Sequence, residues 1–116
     1  MNQNKKNEML VSKSRSAGDL AGVFEFDSET GYFYLYKVSG KEGQKVLEAI
    51  HITSKMPDFD EEDVEIRWST DENFVGLFIH SQLWAVFDSK TTTKYGGNYE
   101  RNALPKVLPE ISKAFL

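Results

Sequence analysis

Two histidines, His51 and His80, are the side chains best suited to move a proton near neutral pH. A metal site built from them needs both rings on one sheet face with a carboxylate added. Their spacing spells no such set, and neither a metal nor a cofactor is expected. The acidic run DFDEED sets Asp58, Asp60 and Glu62 at alternate positions, as a calcium loop does. Its sixth position is Asp63, where the sharp turn needs glycine, and its twelfth is Ser69, where a bidentate glutamate is needed. The run reads as a solvated acidic turn whose Asp58, Asp60, Glu62 and Asp63 are candidate contacts for a basic partner. Serines are plentiful, but no Gly-x-Ser-x-Gly elbow exists and no serine stands in a context that would strain or expose it. GKEG (40–43) lacks the trailing Lys-Ser/Thr of a phosphate-cradling loop.

Tyrosine is the more informative residue. Tyr32, Tyr34 and Tyr36 fall two apart, so a regular strand points all three to one side, with Phe33 and Leu35 behind. A tyrosine couples a large apolar ring to a polar tip, which suits a half-buried sheet face or a binding surface. The simpler expectation is a face partly covered by the C-terminal segment. If that cover is missing, the stripe becomes the leading binding candidate, with His51 as its nearest ionisable partner.

The elements that must position these residues read almost wholly as strands. AGVFEFD (21–27) alternates, SETG (28–31) turns, and YFYLYKV (32–38) returns beside it as a hairpin. SGKEGQ (39–44) breaks the chain before VLEAIHIT (46–53), whose β-branched residues favour a strand. After the acidic loop, VEIRWS (64–69), FVGLFIH (74–80) and QLWAVFD (82–88) form a meander. The last two are apolar on both faces and so belong at the centre of a sheet covered from each side. Alternation sets Leu83, Ala85 and Phe87 against Trp84 and Val86. KTTTKYGGNYERN (90–102) reads as loop, and Pro109 opens a short helix with Ile111, Ala114 and Phe115 as its buried stripe. RWSTDENF resembles a propeller strand-and-turn, yet 116 residues hold no second copy of it.

Composition narrows the classes. A chain of this length supports one core, and 13% aromatic content sits in an otherwise ordinary soluble balance. No cysteine means no disulfide and no thiolate chemistry, which suits a reducing cytoplasm. No apolar run reaches membrane-span or signal-peptide length. Residues 1–16 carry +3 and the remainder −7, giving the net −4. The acidic body repels phosphate backbones, and no nucleic acid or membrane partner is expected.

FEFDSETGYFYLY (24–36), AIHI (49–52), VEIRWSTDENFVGLFI (64–79), WAVFD (84–88) and NYERN (98–102) occur in order and spacing that resemble a small bacterial family catalogued as a domain of unknown function. The resemblance implies a compact bacterial domain and brings no activity, cofactor or catalytic residue with it.

The sequence therefore reads as a flexible basic arm (1–18) followed by a single mostly β domain (19–116) of α+β class. That domain is expected to be an antiparallel meander sheet of about six strands, partly rolled or sandwiched, with a short C-terminal helix. The functional expectation is a cytoplasmic, non-enzymatic binding or regulatory module acting on a protein partner. Immunity-like neutralisation of a basic toxin domain is one example, and a homodimer through an aromatic sheet face is another form it can take. The alternative is a small-ligand binder or enzyme using the Tyr32, Tyr34, Tyr36 face with His51.

Overall fold

A computed structural model describes residues 8–38 and 45–116. Eight strands form two antiparallel four-stranded meanders. The first sheet runs β1 (Met9–Ser14), β2 (Leu20–Phe26), β3 (Gly31–Lys37) and β4 (Lys45–Thr53); the second runs β5 (Val64–Trp68), β6 (Phe74–Ile79), β7 (Gln82–Asp88) and β8 (Lys94–Gly96). One helical turn, α1 (Pro109–Ser112), continues into a 3-10 turn over Lys113–Phe115.

The protein is mostly β, as the alternation predicts, with eight strands where six were expected. The additional two are β1 and β8. Residues 9–14 were expected within a flexible arm, and instead pair along β2 from Met9↔Phe26 to Ser14↔Ala21. Their inward Met9 and Val11 pack on the core, a weak apolar signal hidden among polar neighbours. The start of that arm, and the SGKEGQ and GKEG readings, lie outside the described residues.

One face of each sheet builds the core. Phe24, Phe26, Phe33, Leu35, Ile50 and Ile52 meet Val64, Ile66, Val75, Leu77, Ile79, Ala85 and Phe87 between the sheets. Burying each large apolar side chain contributes about 1.5–3 kcal/mol. Gly22 lets the sheets close: a Cβ there would lie 2.7 Å from Val75 Cγ2. β6 and β7 occupy central positions and are buried along nearly their whole length, as two-sided apolarity requires.

The turns follow local chemistry. Asp27 Oδ1 accepts the Glu29 and Thr30 amides, closing the first hairpin. His80 and Ser81 make the β6–β7 turn, both with positive φ, the geometry a two-residue hairpin needs although neither is glycine. A bulge in β7 changes the alternation read from sequence. Leu77 pairs Ala85 while Phe78 pairs Leu83, so Trp84 is the extra residue. Leu83 therefore joins Phe78 on the outer face, and Trp84 turns to the core.

Both open corners of the sandwich are sealed. At one, the Trp68 indole donates to the Lys13 carbonyl, and Arg15 donates to the Glu72 carbonyl. At the other, the Asn98 and Tyr99 amides donate to the His51 and Ile52 carbonyls. These bonds occupy edge groups that would otherwise be free to pair with another chain.

Candidate functional site

The pairing registers assemble the outer face of the first sheet in three rows across the strands. Leu10, Glu25, Tyr32 and His51 form the first; Ser12, Val23, Tyr34 and Ala49 the second; Ser14, Ala21, Tyr36 and Val46 the third. The three tyrosines thus make a ridge along β3, as their spacing predicts. Tyr32 and Tyr34 stack with ring centroids 5.9 Å apart. Beside the ridge, the short side chains Ser12, Ser14, Ala21 and Val23 leave low ground over β1 and β2. The result is an open groove of about 720 Å³ whose lining includes Leu10, Tyr34 and Tyr36.

This face is wet for its composition. Leu10 is 63% and Val46 45% exposed, and all three tyrosines are half-buried. Glu25 is its one carboxylate in those rows. Partial burial, then the nearby Glu25 charge, push the Tyr34 hydroxyl above its usual pKa, so it stays a neutral donor.

The expected cover by the C-terminal segment is absent, because that segment crosses the second sheet instead. A Cβ at Gly76 would lie 2.9 Å from Phe115 Cζ, and one at Gly96 would lie 3.0 Å from Val107 Cγ2. Phe115 sets its ring at 82° to Phe78, 5.5 Å between centroids, while the Arg67 guanidinium lies 4.0 Å over Phe78. Gly76 leaves a hole on that face, and Phe115 fills it. Ile111, Ala114 and Phe115 are half-buried, as a stripe on a small helix should be.

His51 sits edge-on to Tyr32, 5.4 Å between rings, but its nitrogens point away from the groove. Nδ1 lies 2.9 Å from Asn98 Oδ1 and Nε2 lies 2.6 Å from Ser54 Oγ. These three residues share a separate cleft of about 220 Å³ with Lys55 and Glu100. Ser54 and Asn98 escape a reading of the sequence because they are 44 residues apart and only the fold joins them. Gly97 and Asn98, both with positive φ, mark the sharp approach: a Cβ at Gly97 would stand 2.7 Å from Ile50.

The acidic loop divides by role. Asp63 accepts the Asp60 backbone amide at 2.8 Å across a 3-10 turn (Glu61–Asp63), so the Asp63 carboxylate serves the loop itself. His80 Nε2 lies 3.5 Å from Asp63. Asp58 accepts the Tyr99 hydroxyl at 2.8 Å and pairs with Arg101 at 3.4 Å. Burial first, and the Asp58 bond second, hold the Tyr99 hydroxyl up to about 12. Glu62 remains exposed. The loop's apolar member, Phe59, plugs the core end against Phe24 and Tyr99. The structure therefore separates the eight singled-out residues into a tyrosine face with His51 at its edge and an acidic end. No group of three metal-ligating side chains gathers among the described residues, and no helix there is long and apolar enough to cross a membrane.

Residues 4–113 match the family described as uncharacterized protein conserved in bacteria, DUF2251. The chain belongs to this family. No curated protein and no solved structure matches it. The family description supplies a bacterial setting, and the function rests on the geometry above.

Proposed function

We propose that the protein is a bacterial cytoplasmic binding module that docks a protein partner on the tyrosine face of its first sheet. The observation that carries this is the unequal treatment of two outer faces: Phe115 fills the second, while the first keeps Leu10, Val46 and three tyrosines in contact with water. The occupant that fits is a short amphipathic helix of the partner. The low ground over β1 and β2 spans two strand spacings, roughly 10 Å, close to a helix diameter. The chain's own tail, one helical turn and a 3-10 turn, packs on the other outer face of this fold, which supports the reading. The face is poor in charge, so an apolar stripe suits it, and the acidic body favours a basic rim on the partner.

The reading predicts that a partner binds the purified wild-type chain and loses at least about tenfold in affinity to a Tyr34→Ser, Tyr36→Ser double variant, the scale of an aromatic hot spot. Lysine substitution at Glu61 and Glu62 slows association and leaves the complex in place. A double variant that binds as tightly as wild type removes the face from the account. Sedimentation of the chain alone resolves the other occupant, a second copy: a dimer broken by the same substitutions would replace the helix. The small-ligand alternative fits less well, because the groove is broad and His51 lines a different cleft.

A further inference from the structure

From the chain Ser54 Oγ, His51 Nε2, His51 Nδ1, Asn98 Oδ1, we infer that the cleft beside β4 is a second site, one that hydrolyses small neutral carboxylic esters. A serine nucleophile requires a base within hydrogen-bond reach, and a base requires a third group to fix its tautomer. Both links are present, at 2.6 Å and 2.9 Å. An amide oxygen only accepts, so Nδ1 carries the proton and Nε2 is left free to take one from Ser54.

The arrangement is held from both ends. The Asn98 amide donates to the carbonyl of His51 itself at 2.9 Å, so base and orienter are joined by backbone and side chain together. Tyr32 meets the imidazole edge-on and sets its plane. Against the expectation from sequence that no serine is set out for attack, Ser54 follows β4 in an exposed turn, where a substrate can reach it. Lys55 lines the same cleft and is the cation available to the oxyanion, and Glu100, also in the lining, disfavours anionic substrates. A volume of about 220 Å³ admits a short acyl group.

The chemistry closes on itself. Ser54 Oγ bonds to the ester carbonyl carbon as its proton passes to His51 Nε2, and that proton leaves with the alcohol as the C–O bond breaks. Water then attacks the acyl-serine carbonyl carbon, giving one proton to Nε2 and keeping the other in the carboxylic acid product; the acyl C–Oγ bond breaks, and Nε2 passes its proton to Ser54 Oγ. Ser54 and His51 are the catalytic pair, and Asn98 is a positioning residue.

The test uses the full-length chain with p-nitrophenyl acetate as substrate and a fluorophosphonate probe to locate the nucleophile by peptide mass. Hydrolysis should fall at least about tenfold in Ser54→Ala, which removes an exposed hydroxyl and leaves the core intact. The fluorophosphonate should mark Ser54. Asn98→Gly keeps the positive φ but removes the acceptor, and should fall to the Ser54→Ala level; Asn98→Asp, which restores an acceptor, should regain the rate. Ser54→Ala turning over the ester as fast as wild type, a probe attached elsewhere, or Asn98→Gly matching wild type would each overturn the site and leave the tyrosine-face reading untouched.

Discussion

The two sheets are near equivalents, four-stranded meanders each burying one face, and they differ in what happens on the other. On the second sheet, Gly76 leaves a hole, Phe115 enters it, and Arg67 lies over Phe78. On the first, Ala21 and Val23 leave similar low ground beside tyrosines, and the C-terminal aromatic has gone to the other side. A sheet face that must be covered for stability is apolar at its centre, as Phe78, Leu83 and Val86 are. A face kept for contact uses side chains that tolerate water, as tyrosine does. The contrast teaches that the aromatic content of this chain serves two ends, a sealed scaffold and an open surface.

The contrast breaks if equivalent substitutions cost the same on the two faces. Phe78→Ala should cost about 3 kcal/mol in denaturant unfolding, since it removes a buried ring from between Phe115 and Arg67. Phe115→Ala should cost about 1–2 kcal/mol, less because that ring is only half-buried. Tyr34→Ser, on the open face, should cost under about 1 kcal/mol while weakening partner binding. Stability losses as large as that of Phe78→Ala at Tyr34 would mean the first sheet's outer face is a second core.

A smaller effect sharpens the account at the open sheet's edge. Arg15 donates two bonds to Asp19, holding its carboxyl well below the usual range, at about 2, and the same guanidinium reaches the Glu72 carbonyl in the β5–β6 turn. A depressed carboxyl pKa stabilises the fold above the unfolded value near 4, and that contribution is lost as pH falls toward about 2. Asp19→Asn should therefore lower the unfolding free energy slightly at neutral pH, by a few tenths of a kcal/mol after solvent screening, with the difference vanishing over that acid range. A difference that persists at pH 2 would assign it to something other than the ion pair.

Period-two alternation made much of this legible. It places Tyr32, Tyr34 and Tyr36 on one face, and it identifies β6 and β7 as central strands. It misses β1 because MLVSKS carries only Met9 and Val11 inward among polar residues. It misplaces Trp84 and Leu83 because a bulge inserts one residue and inverts the alternation beyond it. Which sheet the C-terminal aromatic covers depends on a hole at Gly76 that only the assembled strands reveal. The Ser54, His51 and Asn98 cluster is illegible for the same reason, as it forms where a loop after β8 reaches back to β4. The acidic loop drew attention by charge, yet Asp63 turns out to fold the loop it belongs to.

Hydroxyl-radical footprinting of the free chain at low concentration, read residue by residue by mass spectrometry, measures the two outer faces in one experiment. Tyr34, Tyr36 and Leu10 should oxidise readily while Phe78 and Val86 stay protected. Protection of the three first-sheet residues equal to that of Phe78 would contradict an open tyrosine face, and with it the function proposed for the protein.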